Sequence, residues 1–424
     1  MKIATIKEEF EKYLVMADDR IIDLVLATII GNALIPRDPL WLMIIAPSSG
    51  GKSTFLAPAA GVPGVHFFDD LTEKTFLSGY KVKGKETSLL KIIGSGVMCF
   101  SDFTSIISKN PVSRGEILGQ LRLVYDGNFS KRTGTGEITW KGKMGFLGAS
   151  TPDIYFHLES SRSMGERFVY YSLIQPTDEE IVRKQETVMM SSKEIAQTLQ
   201  PMYQEFCSGI HKYVEENGVP ELKMTSAQQA AVHRAAIFCV SAKATVHLDF
   251  KTSKPDALVN RPGVGRDRKM FNTLLHTLQL MNCYEHGITD LPVEDWMVKL
   301  VEKCAYSSVS RERRKILEIL TAYDKPMSAS HIGYTDDFGL PKESVEKYLH
   351  VLHAVALVQK KKDGNNFVWY IESEETKEFI RSVANLSPEK RELPPMVEEE
   401  TVEDLPSDLK EDNDALLADF DKRP

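Results

Sequence analysis

At 424 residues and 42% apolar composition the chain can bury the cores of two or three domains, and its five dispersed cysteines (99, 207, 239, 283, 304) show neither a CxxC pair nor metal spacing, which argues against a disulfide- or zinc-built scaffold. The net charge of −8 sits in the tail: residues 387–424 carry thirteen Asp/Glu and five Lys/Arg, so residues 1–386 are neutral and any nucleic-acid binding must come from local patches. No apolar run approaches the roughly 20 residues that span a bilayer, and "MKIATIKEEFEKYL" is no signal peptide, so a cytoplasmic protein without a membrane partner is expected, in a bacterial host if phage-encoded.

Residues 1–38 form an N-terminal helical segment by pattern, with "DDRIIDLVLATIIGNAL" burying one broad face and Pro36 marking its end. Residues 39–180 alternate short apolar runs with polar connections, the pattern of an α/β core. Here "PLWLMII" reads as a buried strand that runs into "APSSGGKST" and then a helix opened by "TFLAPAA". Strand, glycine loop, helix is the setting a phosphate-binding loop requires. Ala46, Pro47, Ser48, Ser49, Gly50, Gly51, Lys52, Ser53 and Thr54 would then wrap a triphosphate. The glycines let N–H groups turn inward, Lys52 reaches the β- and γ-phosphates, and the Ser53 hydroxyl ligates Mg²⁺. Ala46 stands where such loops usually begin with glycine.

Such a loop needs a carboxylate at the end of a neighbouring strand. "GVMCFSDF" supplies a strand at Val97–Phe100 and Asp102 beyond it. No acid adjoins Asp102, so the catalytic base is unassigned, with Asp69 and Asp70 as the nearest alternatives. "NFSKRTGTGEITWKGK" reads as a hairpin around Thr133–Gly136, and its Lys131, Arg132, Lys141 and Lys143 outnumber Glu137. "KMGFLGASTPD" is a further strand, ending in Ser150 and Thr151, whose hydroxyls can touch a γ-phosphate or the attacking water. Arg167 follows in "SMGERFVYYSL", where it can reach a neighbouring subunit's nucleotide, with Arg162 as the competing candidate.

Residues 181–305 turn helical, as a lid domain. Ile195, Leu199, Met202, Phe206 and Ile210 recur at helical spacing interrupted by Pro201, and a second helix spans about Lys269 to Met281 after "RPGVGRDR". Residues 306–375 give three helices ("SRERRKILEIL", "SASHIG", "PKESVEKYLHVLHAV") and two strands around Asp363-Gly364, which spells a winged helix. Its third helix exposes a mixed face of Lys342, Glu343, Glu346, Lys347, His350 and His353, while Lys360, Lys361 and Lys362 make the wing basic. DNA contact and protein docking both stay open for this module. Residues 376–424 read as a linker and an acidic disordered tail, whose "DNDALLADFD" suits either a replication protein's basic groove or simple solvation.

The order "APSSGGKST", "VMCFSDF", "GFLGAST", "GERF" resembles the AAA+ ATPases of the pre-sensor-1 hairpin clade, which includes minichromosome-maintenance and superfamily 3 helicases. Over residues 20–175 the chain is most similar to phage and mobile-element ATPases of that kind. The resemblance implies an AAA+ core with a helical lid and a C-terminal winged helix, binding ATP and Mg²⁺. Lys52 and Ser53 match Walker A, Asp102 the Walker B acid, Ser150 or Thr151 sensor 1, and Arg167 the arginine finger; Arg268 or Arg266 falls at sensor 2. The hairpin would face the channel of a homo-oligomeric ring, a hexamer by family, and grip DNA through Lys131, Arg132, Lys141 and Lys143. Ser101 and Asp102 fall where minichromosome-maintenance proteins have Asp and Glu, a departure that touches motor-grade hydrolysis. The leading expectation is a helicase- or translocase-like ATPase acting on DNA in mobile-element replication. The alternative is an ATP-binding winged-helix regulator or helicase loader that switches without translocating. A small-molecule kinase is disfavoured by the residues devoted to lid and wing.

Overall fold

The structure, a computed structural model, describes residues 1–387 apart from 49, 79–80, 83–84, 134–135, 156–166, 189, 249–254, 261–262, 336–337 and 365; for 81–82, 85–86, 133, 245–248 and 255–260 it describes the backbone alone. Helices α1 (Ile3–Tyr13) and α2 (Arg20–Leu34) lead into strand β1 (Trp41–Ile45). After the glycine loop come α3 (Lys52–Leu56), a 3₁₀ turn (Ala57–Gly61) and β2 (Val65–Phe67). The helix expected from "TFLAPAA" is thus hardly more than one turn long, because Pro58 has no N–H to carry the α-helical ladder onward.

The short pair β3 (Lys81–Val82) and β4 (Lys85–Glu86) precedes α4 (Leu89–Ile93) and β5 (Gly96–Phe100). Helices α5 (Thr104–Ile107) and α6 (Pro111–Tyr125) follow, the latter capped by the Asn110 side chain, which accepts from the Val112 and Ser113 amides. The expected hairpin forms from β6 (Asn128–Thr133) and β7 (Gly136–Lys141). Strands β8 (Met144–Ser150) and β9 (Val169–Ser172) complete a five-stranded parallel sheet in the order β2-β5-β8-β1-β9.

Both faces of that sheet are covered, as a parallel sheet demands. Leu42 and Ile44 of β1 join a core with α2 and the helices that follow β9. Trp41, Met43 and Ile45 face the other way into an aromatic cluster with Phe100, Phe103, Phe146 and Phe168, where Phe100 and Phe146 stack at 5.0 Å. The chain is therefore α/β with a five-stranded parallel core.

Beyond β9 lie helices Asp178–Thr187, Ser192–Asn217, Ser226–Lys243, Val264–His286 and Asp295–Ser307. Two expectations need correction here. Pro201 does not interrupt its helix: a Ser191–Glu194 capping box starts it, and Ile195, Leu199, Tyr203, Phe206 and Ile210 bury one stripe on both sides of the proline. A strand pair, β10 (Thr245–Leu248) and β11 (Pro255–Asn260), also stands where only helices were expected. Helices Arg311–Tyr323, Ala329–Tyr334 and Lys342–Ala354 then precede the antiparallel ribbon β12 (Gln359–Asp363) and β13 (Asn366–Tyr370). The stretch read as linker begins instead with helix Glu374–Ala384, held by buried Phe379 and Ile380 and by a 2.6 Å Lys377–Asp324 ion pair. Tail residues 388–424 lie outside the described residues. All five cysteines are buried and free, and among the described residues no helix is long and apolar enough to cross a membrane.

Candidate functional site

Because β1, β5 and β8 are parallel, the residues that follow them leave the sheet at one edge. Ile45 pairs with Ser150, and Phe100 with Gly148. The glycine loop, Ser150, Thr151 and Asp102 therefore share the carboxyl-end crevice where open α/β sheets bind ligands. Asp102 ends the strand two places from β1, roughly 10 Å away at about 4.8 Å per strand.

The loop is shaped by its glycines. Gly51 takes φ +73°, and a Cβ on Gly50 would stand 2.8 Å from Gln175 Oε1 and 3.0 Å from Pro47 O. Lys52 Nζ donates to the Ala46 and Pro47 carbonyls at 2.7 and 2.6 Å. Burial pushes the Lys52 pKa down, and the Asp102 charge pushes it back up, so the two residues share one field. Pro47, Ser48 and Ser53 are exposed and Thr54 is buried; Ser49 lies outside the described residues. Helix α3 is held from beneath by Phe55, stacked on Phe10 at 5.4 Å, and by the Tyr203 hydroxyl, which donates to Phe55 O at 3.3 Å.

Thr104 ties the Asp102 turn to the end of β8, a role that sequence reading missed. Asp102 is exposed, and its Oδ1 accepts from the Thr104 amide at 2.9 Å. The Thr104 hydroxyl shares a 3.2 Å hydrogen bond with Ser150 Oγ and accepts from the Thr151 amide at 3.2 Å. Ser150 is buried, whereas Thr151 donates its hydroxyl to Asp153 at 3.1 Å. Asp70, one alternative base, is committed to Lys109 at 2.7 Å, whose hydrogen bond holds its pKa below the usual carboxylate range; Asp69 is exposed at the same edge. Among the described residues no three His, Cys, Asp or Glu side chains form a metal cage. The exposed Ser53 and Asp102 fit a cation that takes most of its ligands from phosphates and water, as Mg²⁺ does.

A cavity of about 230 Å³ opens beside the loop, lined by Leu14–Asp18, Gly50, Gly51, Leu173–Pro176, Ile181 and Lys184. Residues 14–18 carry no motif, so nothing in the sequence pointed to them. Asp18 fixes their position: its carboxylate accepts from the Tyr171 hydroxyl and from Lys303, whose Nζ lies 5.0 Å from the Tyr171 ring centre. One buried carboxylate thus joins the loop between α1 and α2, strand β9 and helix Asp295–Ser307.

Arg167 lies at the opposite edge. It precedes β9, whose Val169 pairs with Leu42 near the start of β1, so a full strand of about 16 Å separates it from its own glycine loop. It is not presented at the surface as a finger expected to reach outward would be: only 4% exposed, it donates from Nη2 to both Asp126 carboxylate oxygens at 3.0 and 3.1 Å, and its guanidinium lies 5.3 Å from the Tyr125 ring centre. Burial pushes its pKa down and Asp126 opposes that shift. Arg162 lies outside the described residues. Arg266 and Arg268, both exposed, open helix Val264–His286 at this same edge, away from Lys52.

The expected basic cluster of the hairpin is divided by the structure. Lys131 shares the inward face with Phe129 and Trp140 and donates to Glu73 O at 3.3 Å. Lys143 turns in to donate to the Gly31 and Ile35 carbonyls at the end of α2, at 3.0 and 2.7 Å, and burial lowers its pKa to about 8. That leaves Arg132 and Lys141 on the outer face, with Glu137 directly across from Arg132. The ribbon divides its lysines too. Lys360 and Lys362 share a face with Phe367, which is 54% exposed, and Trp369, while Lys361 faces the other side near Tyr370. His350 and His353 are half-buried against Trp369 at 5.1 and 5.9 Å rather than lying on an open helix face.

Set beside models of protein families and beside curated proteins, the chain matches none of them.

Proposed function

We propose that this chain is a P-loop ATPase of the AAA+ type that binds ATP with Mg²⁺. The observation that carries the reading is the shared edge: the glycine loop that leaves β1 and ends at Lys52, Asp102 beyond β5, and Ser150 and Thr151 at the end of β8. In this reading the loop amides and Lys52 hold the phosphates, Ser53 and Asp102 hold the cation, and the Thr104–Ser150–Thr151 group orients water at the γ-phosphate. Mg²⁺ would supply neutralisation of phosphate charge. In this reading the nucleoside enters the cavity at residues 14–18 and 173–176. Titration of ATP·Mg²⁺ into the parent and Lys52→Ala chains tests the reading; equal affinity and equal turnover would end it.

Self-assembly belongs to this reading, and the placement of the two edges motivates it. The loop and Arg167 stand at opposite ends of the same strands, so an arginine can meet a nucleotide only when one subunit's edge faces the next. Such head-to-tail contacts close into a ring when the rotation between neighbouring subunits divides a full turn evenly, which is the form this reading takes. Action on DNA, helicase- or translocase-like and in mobile-element replication, would run through Arg132, Lys141 and the Lys360–Lys362 face, the helix–ribbon order of residues 311–370 serving as a winged helix. The second reading, an ATP-dependent switch or loader, is favoured by one observation: no acid adjoins Asp102, and Asp70 is paired with Lys109. Strand displacement measured beside DNA-stimulated turnover separates motor from switch.

A further inference from the structure

At the amino-terminal edge of the sheet, where the hairpin is rooted, lies a cavity of about 630 Å³. Arg37, Lys143, Arg266 and Lys269 line it against two carboxylates, Asp38 and Asp126. Lys143 is turned to the α2 carbonyls, and Lys269 lies 3.7 Å from Asp38. Arg37 and Arg266 are exposed at its wall, and Arg266 adds positive potential at both Arg167 and Tyr125. Arg167 lies behind Asp126, its guanidinium gripping both carboxylate oxygens. Both bonds come from the one terminal nitrogen Nη2, so the carboxylate occupies a place at that nitrogen where the oxygens of a phosphate can stand instead.

We propose that this cavity is an oxyanion site for a polyphosphate, and that Asp126 is its resident, displaceable anion on Arg167. Asp126 suits displacement: its side chain is 49% exposed, it ends α6, and Gly127 at φ +72° follows it. Releasing it hands Arg167 to the incoming phosphates, with Arg266 as the second cation. Because Asp126 and Gly127 lead straight into β6, the exchange also shifts the hairpin's root. The site rests on the ATPase reading only for its anion's source, which is either free polyphosphate or the terminal phosphates of a nucleotide on a neighbouring subunit.

Inorganic tripolyphosphate titrated calorimetrically into the full-length Lys52→Ala chain tests the site without relying on turnover. Binding should tighten at least about three-fold with Asp126→Asn and weaken at least about ten-fold with Arg266→Ala. Asp126→Ser repeats the first arm should the Asn variant misfold. No binding, or one affinity in all variants, overturns the proposal. In the chain with Lys52 intact, a lower half-saturating protein concentration for ATP turnover in Asp126→Asn identifies the neighbour's nucleotide as the anion. An unchanged concentration dependence beside tightened tripolyphosphate identifies the free polyanion; either result upholds the site. Failure of the ATPase reading is distinguishable, because it leaves parent and Lys52→Ala turnover alike and does not touch the tripolyphosphate affinities.

Discussion

The Thr104 and Ser150 hydroxyls share a 3.2 Å hydrogen bond that joins the turn of Asp102 to the end of the neighbouring strand. The same Thr104 oxygen accepts from the Thr151 amide, so one residue, through its amide to Asp102 and its hydroxyl to the end of β8, sets the spacing between the carboxylate and the Ser150–Thr151 hydroxyls. Thr104→Val keeps the shape and removes both bonds. Stability should fall by about 1 kcal/mol, as for ordinary hydrogen bonds, while ATP turnover falls about ten-fold or more, the cost of losing position rather than binding. Denaturant titration, ATP calorimetry and turnover on the same preparation check this. Turnover equal to the parent's would show that Thr104 only holds the loop.

Gly50 is constrained by contact rather than by its backbone angle. The Cβ of Gly50→Ala would meet Gln175 at 2.8 Å and the Pro47 carbonyl at 3.0 Å. Shortening the glutamine in Gly50→Ala/Gln175→Ser relieves only the first. Nucleotide affinity should fall about ten-fold in the single variant and recover only in part in the double, as calorimetry will read. Full recovery would place the whole constraint on Gln175.

The shared carboxylate of Asp18 makes a prediction for the cavity beside the glycine loop. Tyr171→Phe removes a hydrogen bond to a charged group, worth about 1.5–3 kcal/mol. Asp18→Asn should cost at least as much, because Lys303 loses its counter-charge. Since residues 14–18 line the cavity beside the glycine loop, both variants should weaken ATP more than they weaken inorganic pyrophosphate. Equal losses for both ligands would remove this cavity from nucleoside binding.

How much of this was legible follows from what each residue's role depends on. The glycine loop, Asp102, the hairpin and the strands were legible because local patterns fix them: "GGKS" after an apolar run, an acid after another, β-prone ends around a Gly-rich turn. Residues 14–18 and Thr104 were not, because their roles arise from partners at positions 171, 303 and 150. Arg167 was found, but its pairing with Asp126 depends on a contact across 41 residues. The Lys131–Lys143 cluster misled because strand alternation and a helix end, neither counted in a charge tally, turn Lys131 and Lys143 inward.

Lys143 gives a pH dependence with a defined sign. Burial lowers its folded pKa from 10.5 to about 8, so the unfolded chain keeps this proton where the folded chain releases it. Stability therefore rises as pH climbs from about 8 to 10.5, and the full penalty of the buried charge applies below about 8. Relative to Lys143→Met, the parent's urea midpoint should improve across that window. A constant difference would mean that Lys143 titrates as a solvated lysine.

For DNA, only outward-facing charges should count. Arg132→Ala with Lys141→Ala should flatten the log–log salt dependence of affinity by about 0.7–0.9 per lost contact. Lys143→Ala should leave that slope alone, because its ammonium group is spent on the α2 carbonyls. Fluorescence anisotropy across a salt series reads both. An equal flattening from Lys143→Ala would contradict the inward placement.

The most direct measurement concerns Lys52 and Arg167, which stand at opposite ends of the same sheet. If a nucleotide held by one subunit's Lys52 is completed by the next subunit's Arg167, then Lys52→Ala and Arg167→Ala are each inactive alone. Mixed, they form interfaces that carry an intact glycine loop from one chain and an intact arginine from the other. Turnover should reappear on mixing and pass through a maximum near equal proportions. No recovery at any ratio, with co-assembly established by crosslinking, would contradict a site shared between subunits and leave Arg167 as the structural partner of Asp126.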